Sequence, residues 1–278
     1  MADITAAMVQ ALREATNVGM MECKKALTEA GGDKDKAIRI LRERGIATAA
    51  KKSARAANQG LVRAAVAPDG RVGALVEVNC ETDFVAKNET FRAFVQALAD
   101  KGLTVEANLA ETVRSDVVAK IAEIGENIVV RRHVRWTLQG HGLLVTYIHL
   151  TGKLGVLLEL GCGKPETAAR AEFRELGKDL TLHVAASSPR YLVRSDVPAD
   201  MVASEREIYA KQVTNKPPQI IEKIVDGKMG KFYAQVCMVE QGFVKEPDTP
   251  VNKLLEAKGH VLGDVLTIRR FARYQVGE

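Results

Sequence analysis

The residue types that most often carry out covalent or metal chemistry are sparse and scattered in this sequence. Its 278 residues include four cysteines and five histidines, with no CxxC pair, Cys/His cluster or HExxH motif. Zinc and redox sites need such residues a few positions apart. We therefore expect no metal and no cofactor. The thiols are interpreted as reduced core residues: Cys23, Cys80, Cys162 and Cys237.

Two segments come closest to an enzyme motif. Gly161-Cys162-Gly163-Lys164 resembles part of a phosphate-binding loop, but Leu158 stands where that loop needs its first glycine. Pro165 replaces the Ser or Thr that would contact magnesium, so we predict a turn. Around Cys80, acidic neighbours oppose formation of a thiolate. Because serine-hydrolase, kinase and dinucleotide motifs are also missing from the sequence, enzyme activity is not expected.

The most distinctive segment runs from Glu77 to Asn88. A predicted strand stops, the polar triplet Glu81-Thr82-Asp83 turns the chain, and Phe84 appears before the next helix. In the simpler interpretation Asp83 caps a helix and Phe84 faces the core, because most phenylalanines are buried. In the alternative, Phe84 is an anchor that enters a pocket of a partner protein. The residues alone favour the simpler interpretation.

The net charge of +5 is concentrated in one part of the chain. Residues 34–63 hold nine Lys or Arg and two acidic residues, a local net charge of +7. Such a segment is typical of a solvated helix face, or of a surface that binds nucleic acid or an acidic protein. With no RNA-binding signature nearby, we favour the solvated face or an acidic protein partner. An RNA- or ribosome-binding accessory factor is the alternative function.

The composition, 46% hydrophobic and 27% charged, is typical of a folded globular chain. The fold of that chain positions the residues discussed above. Residues 1–45 predict a three-helix domain, with Asp3 or Thr5 capping the first helix and Asp33 capping the third. Gly45 is predicted to end the third helix. About 45 residues make only a small core, which suits a docking module. Residues 46–59 predict a mobile helical linker.

The rest of the chain predicts an α+β fold with antiparallel sheets. We divide it into an N-terminal core subdomain, 60–139, and a C-terminal one, 140–278, with a helical hairpin inserted at about 199–232. Gly102 and Gly125 are predicted helix C-caps. The predicted strands are Leu61–Ala67, Val72–Val78, Ile128–Leu138, Leu143–Leu150, Leu154–Leu160 and 261–275. The predicted helices lie around 91–98, 113–124, 166–185, 199–213, 219–232 and 250–258.

Two long motifs resemble the signatures of the elongation factor Ts family. The first is Leu12-Arg13-Glu14-Ala15-Thr16-Asn17-Val18-Gly19-Met20-Met21-Glu22-Cys23-Lys24-Lys25-Ala26-Leu27, and the second is Glu77 to Lys87. Shorter matches extend the resemblance over nearly the whole chain: Gly125-Glu126-Asn127-Ile128, Tyr147-Ile148-His149, His183-Val184-Ala185-Ala186 and Gly227-Lys228-Met229. The match is poor over Arg131–Leu138 and 161–170.

The resemblance implies a guanine-nucleotide exchange factor for elongation factor Tu, bound to that partner in its GDP-bound and nucleotide-free forms. It also implies a ubiquitin-associated-like helical domain, two α+β core subdomains and a protruding coiled coil. A homodimer through the hairpin is possible but not required. No specific nucleic acid and no membrane are expected as partners. The chain start has no secretion signal and no apolar run reaches about 20 residues, so we expect a cytoplasmic location.

The resemblance also implies three sets of partner-binding residues. The N-terminal set is Val18, Gly19, Met20 and Met21; one of the two methionines is open to internal packing, because successive helix residues lie about 100° apart. The loop that would disturb the partner's magnesium and nucleotide is Thr82, Asp83, Phe84 and Val85. The C-terminal core contributes His149, although a histidine on a strand is more often structural.

Overall fold

A computed structural model describes residues 4–16, 18–213 and 216–278. Its helices are α1 (Ala6–Thr16), α2 (Met20–Glu29), α3 (Lys34–Lys52), α4 (Asp83–Lys87), α5 (Glu89–Gly102), α6 (Leu109–Thr112), α7 (Arg114–Ile124), α8 (Pro165–Ala169), α9 (Ala171–Ser187), α10 (Ala199–Lys211), α11 (Pro218–Val236) and α12 (Val251–Leu262). Its strands are β1 (Gln59–Val66), β2 (Val72–Cys80), β3 (Ile128–Thr137), β4 (His141–His149), β5 (Leu154–Cys162), β6 (Gly242–Phe243), β7 (Glu246–Pro250) and β8 (Leu266–Gln275).

The chain divides into two compact units. The first takes in the chain up to Arg63, Val76–Val134 and Gln275–Glu278, and the second takes in Ala64–Leu75 and Arg135–Tyr274. One sheet has the order β1-β2-β3, and the second unit holds β4-β5-β8 and the pair β6-β7. The β4/β5 and β6/β7 pairs are antiparallel. The predicted α+β class is therefore confirmed, whereas the predicted domain boundaries stay predictions.

The first three helices pack around a small apolar core of Val9, Leu12, Cys23, Leu27 and Leu41. The hydroxyl of Thr5 accepts a hydrogen bond from the Met8 amide at 3.3 Å, which caps the start of α1. Asp33 caps α3 as predicted, because its carboxylate accepts the amides of Asp35 and Lys36 at 3.0 Å. Asp3 and Asn17 lie outside the described residues.

The prediction that Gly45 ends the third helix is wrong, since α3 continues to Lys52. Gly45 is buried, and a Cβ atom at this position would lie 3.5 Å from Ala122 and 3.7 Å from Val118 of α7. The glycine is therefore a packing position rather than a terminator. The alanines after it favour helix strongly, so the first half of the predicted linker belongs to a packed helix.

The second unit is built around β5, whose nine residues are all buried. The apolar face of α9 packs on it through Phe173, Leu176, Leu180 and Val184. The helix predicted over 166–185 is in fact two helices, because Arg170 between α8 and α9 has an extended conformation. The last strand begins later than predicted, since α12 continues to Leu262 and Gly263 ends it at φ +64°.

The predicted helical hairpin corresponds to α10 and α11. Its helices are joined by an ion pair of 2.9 Å between Arg206 and Asp226 and by a Lys228–Gln212 hydrogen bond of 2.6 Å. At its base, Val225, Met229 and Phe232 of α11 are buried in a separate apolar cluster. Part of the predicted turn, Asn215, lies outside the described residues. Among the other predicted caps, Gly125 ends α7 at φ +85°, whereas Gly102 is the last residue inside α5.

Candidate functional site

The side chain of Phe84 is exposed on a short helix at the end of a buried strand. Phe84 is the second residue of α4 and 80% of its surface is accessible, whereas Ala86 of the same helix is buried. The helix is capped by Thr82, whose hydroxyl accepts the Val85 amide at 3.3 Å. Asp83 is the first helical residue instead of the cap. The simpler interpretation is thus wrong on both points.

The turn before Phe84 is fixed by the carboxylate of Glu126, which follows α7. One oxygen, Oε2, accepts the amides of Glu81 and Thr82 at 3.1 and 3.0 Å. The other oxygen, Oε1, accepts the Thr82 hydroxyl at 2.5 Å. Hydrogen bonds to a charged acceptor are stronger than neutral ones. Glu126 was not predicted to have a role, although it lies in the motif Gly125-Glu126-Asn127-Ile128, which was a signal for one.

A second set of hydrogen bonds supports this turn from behind. The Glu81 carboxylate accepts the Asn127 amide at 2.6 Å and lies 3.6 Å from Arg55. The Asn127 side chain is buried and donates to the Arg55 carbonyl at 2.8 Å. The Cys80 thiol, also buried, donates to the Thr82 carbonyl at 3.2 Å. The backbone that presents Phe84 is therefore held from both sides before any partner binds.

Asp83 lies beside Phe84 on the solvent side. Its carboxylate makes an ion pair with Lys87 at 2.6 Å, and about half of the Asp83 side chain is exposed. An exposed pair of this kind contributes at most about 1 kcal/mol to stability. A competing cation, or a displacement of Lys87, can therefore free the Asp83 carboxylate at low cost.

We call the arrangement of β2, the turn at Glu81–Thr82, α4 and Glu126 the first frame. The second unit repeats it in a second frame made of β5, Gly163–Lys164, α8 and Asp264. There Asp264 accepts the amides of Gly163 and Lys164 at 3.0 and 2.9 Å. The hydrogen bond from the Thr167 side chain is the largest of the contacts that lower the pKa of Asp264.

The second frame explains the segment that looks like a phosphate-binding loop. Its backbone amides donate to Asp264, and the Lys164 ammonium donates to the Gly263 carbonyl at 2.7 Å. A phosphate would have to displace a carboxylate from these donors. Gly161 and Cys162 are the last residues of β5, and Gly163-Lys164 make the turn into α8, so the predicted turn is confirmed only for the second half of the segment.

The residues of the predicted N-terminal contact lie at the start of α2. Gly19 is the N-cap residue, and Met20 and Met21 are 48% and 64% exposed. Val18 packs partly against the helical core, and its carbonyl accepts the Cys23 thiol at 3.4 Å. Neither methionine is a core residue, so both thioether side chains are available at the surface.

His149 is exposed at the end of β4. Its Nδ1 atom lies 2.6 Å from the Tyr147 hydroxyl, and the centroids of the two rings are 5.7 Å apart. This pair belongs to the second unit, whereas Phe84 and the two methionines belong to the first.

The basic segment 34–63 is partly engaged in contacts within the chain. Arg44 pairs with Glu22 and Glu29, Lys52 donates to the Gly125 carbonyl, and Arg55 pairs with Glu81. These ion pairs offset part of the positive charge of the segment, and RNA or ribosome binding stays a prediction.

The described residues contain neither a metal-binding cluster nor a helix that could span a membrane. No group of three or more His, Cys, Asp or Glu side chains in the described ranges is arranged to hold a metal ion. No helix in the same part of the chain has the length and apolarity that crossing a membrane would require.

The fold and the site define an α+β protein that presents an aromatic side chain on a fixed turn, an arrangement suited to protein recognition. The family model described as Elongation factor TS matches residues 81–278. Elongation factor Ts of Methylococcus capsulatus is 46% identical over 99% of this chain and 92% of that protein. The proteins of the same name from Trichlorobacter lovleyi and Nitratidesulfovibrio vulgaris are 44% and 41% identical over 99% of this chain, and over 93% and 96% of their own lengths. The chain belongs to the elongation factor Ts family, and its role is in translation elongation.

Proposed function

We propose that this chain is a guanine-nucleotide exchange factor for elongation factor Tu, and that it promotes GDP release by inserting Asp83 and Phe84 near the nucleotide and magnesium site. The observation that carries the proposal is the 80% exposure of Phe84 on a turn fixed by Glu126. The rigid turn holds the large apolar side chain of Phe84 in water. Burial of this side chain in a partner pocket therefore makes a favourable contribution to the binding free energy. Pre-organisation of the turn keeps the ordering cost of that step small.

The mechanism requires no covalent chemistry. In a nucleotide-bound GTPase, magnesium is coordinated partly by phosphate oxygens. A phenyl ring wedged beside this site would displace the elements that hold both the ion and the phosphates, and the Asp83 carboxylate would add repulsion toward phosphate. Coupling is reciprocal, so GDP must weaken the binding of this chain by the factor by which this chain weakens the binding of GDP.

Two further surfaces complete the proposed contact. At the start of α2, Val18, Gly19, Met20 and Met21 would pack against the partner, and methionine suits such a surface because its side chain adapts to irregular apolar pockets. On the second unit, His149 would supply a polar contact. A partner in the translation machinery implies a cytoplasmic location.

The test is the rate at which a fluorescent GDP analogue leaves purified elongation factor Tu. We expect strong acceleration by the wild-type chain and a loss of about tenfold to a hundredfold with Phe84→Ala, since burial of a Phe is worth about 1.5–3 kcal/mol. The matched control is Glu166→Ala, which truncates the exposed second residue of α8 at the same place in the second frame. Wild-type exchange by a folded Phe84→Ala variant would overturn the proposed mechanism.

A further inference from the structure

The turn after β4 has an unusual backbone. Leu150, Thr151 and Gly152 have successive φ values of +46°, +58° and +110°. Left-handed conformations are disfavoured for residues that carry a Cβ atom and normally occur singly at Gly, Asn or Asp. The strand pairs on either side, Ile148 with Gly155 and His149 with Leu154, keep the turn closed in this form.

The leucine in this turn does not contribute to a core that would offset the strain. Leu150 is 68% exposed, so its apolar side chain faces water while its backbone is strained. Strained residues persist where the surrounding structure over-determines them, and they cluster at functional sites. A partner surface that covers Leu150 would turn this unfavourable position into a favourable contact.

The neighbouring polar group is oriented as well. The Tyr147 hydroxyl lies 2.6 Å from His149 Nδ1. In the tautomer in which Tyr147 donates this hydrogen bond, Nδ1 is the acceptor and Nε2 carries a proton that it can donate. In that tautomer, the end of β4 carries an oriented hydrogen-bond donor next to an exposed leucine.

We propose that Leu150 is a partner-contact residue for elongation factor Tu, that it acts beside His149, and that Tyr147 is the positioning residue for the imidazole. This inference rests on the proposed function. The chemistry of the tip fits an apolar depression bordered by a hydrogen-bond acceptor. Two side chains bury far less than the roughly 1,000 Å² that a specific interface needs. The tip therefore fits an addition to a larger contact with the exchange partner rather than self-association.

The first test compares partner affinity with thermal stability. Leu150→Gly removes the side chain and the strain together, so we expect about tenfold weaker binding to elongation factor Tu with a Tm that is unchanged or about 2 °C higher. Leu150→Met keeps an apolar side chain and should bind within about twofold of wild type. The control Val261→Ala truncates another apolar residue of the second unit, 71% exposed, and should leave binding unchanged.

The outcomes separate the two proposals. If the wild-type chain does not bind elongation factor Tu, the proposed function fails and this inference fails with it. If the wild type binds and Leu150→Gly binds equally well, only the role of Leu150 is overturned. A Tm for Leu150→Gly more than about 4 °C below wild type would also overturn it, because the added unfolded-state entropy of glycine accounts for about 1 kcal/mol at most and the rest would be lost packing.

The role of Tyr147 is tested by a double-mutant cycle on the same binding assay. Tyr147→Phe should weaken binding about threefold in the wild-type background, because the imidazole loses its orientation. The effect should vanish when His149→Gln is already present. An equal loss in both backgrounds would mean that Tyr147 does not act through His149, and would overturn its assignment as a positioning residue.

Discussion

The two frames use the same device and present different side chains. In each, a strand ends at a buried cysteine whose thiol donates to a carbonyl two residues later, at 3.2 Å. In each, a carboxylate from a distant segment accepts two successive backbone amides of the turn. The second residue of the helix that follows is Phe84 in the first frame and Glu166 in the second, and both are exposed.

The similarity extends back into the strands. Gly60 and Gly142, at φ +151° and +153°, stand where an added Cβ would lie 2.3 and 2.2 Å from the carbonyls of Val78 and Leu160. Glu77 and Glu159 are fully buried on the central strands and each pairs with two arginines. The frame therefore holds a turn in both units, and the two frames differ in the exposed helical residue that they present.

The largest expected effect tests the buried glutamates. Both oxygens of Glu159 have hydrogen-bond donors, including Arg270 at 2.7 Å and the Gln139 amide at 2.8 Å. Within the described residues, Oε1 of Glu77 has no hydrogen-bond partner and only Arg131 at 3.7 Å. Breaking a well-satisfied buried pair costs about 3–5 kcal/mol. We expect Glu159→Gln to reduce the free energy of unfolding by about 3 kcal/mol, and Glu77→Gln by less.

Denaturant titration of the two variants measures this difference. The conservative control is Glu159→Asp, which keeps the charge but shortens its reach and should lie between the wild type and Glu159→Gln. If Glu77→Gln proves the more destabilising change, the ion pairs of Glu159 do not contribute more to stability than those of Glu77. The number of hydrogen bonds would then not predict which buried glutamate stabilises its unit more.

The next prediction distinguishes a loss of stability from a loss of exchange activity, and its expected effect on stability is smaller. Glu126→Ala leaves the amides of Glu81 and Thr82 without their acceptor, which costs about 2 kcal/mol. It should also slow GDP release from elongation factor Tu about tenfold, because Phe84 loses its fixed position. Asp264→Ala removes the same kind of acceptor from the second frame and should lower stability without changing exchange. Equal loss of exchange in both variants would show that the effect comes from global destabilisation.

The helices and strands were largely predictable because they follow local patterns. The repeat of apolar residues gave the α+β class, and Asp33 was identified as a cap from its neighbours alone. The contacts of Gly45 with Val118 and Ala122 were not predictable, because packing between α3 and α7 is not encoded in the local composition. Glycine ends helices often enough that the local rule pointed to the wrong conclusion.

The site was only partly predictable. The Phe84 segment stood out by its residue types, but its exposure depends on Glu126, which lies more than forty positions away. The repeat was visible in Leu75-Val76-Glu77-Val78-Asn79-Cys80 and Leu157-Leu158-Glu159-Leu160-Gly161-Cys162, and a comparison of these segments would have predicted two similar strands, but not the distant carboxylates that complete the frames. The left-handed backbone at Leu150 has no sequence signal, because leucine is an unfavourable residue for it.

The smallest expected effect is a loss of stability of the second unit as the pH falls. His183 is buried in α9, and burial lowers the pKa of its imidazole. Nδ1 accepts the Val244 amide at 3.2 Å, so the neutral ring donates from Nε2 to the Gln241 side chain at 3.0 Å. The unfolded chain protonates this histidine near pH 6.5. The unfolded state therefore binds more protons than the folded state as the pH falls below about 6.5, and the free energy of unfolding decreases by up to about 1.4 kcal/mol per pH unit.

Fluorescence of Trp136, the single tryptophan of the chain, reports on the second unit. Its thermal transition should shift to lower temperature between pH 7.5 and 5.5 in the wild type. His183→Gln should be less stable at pH 7.5, because it loses the hydrogen bonds of the ring, but its transition should depend less on pH. The control His141→Asn removes an exposed histidine of the same unit and should retain the wild-type pH dependence. If His183→Gln retains it too, the acid sensitivity originates elsewhere, and the buried imidazole is not what distinguishes the second unit from the first.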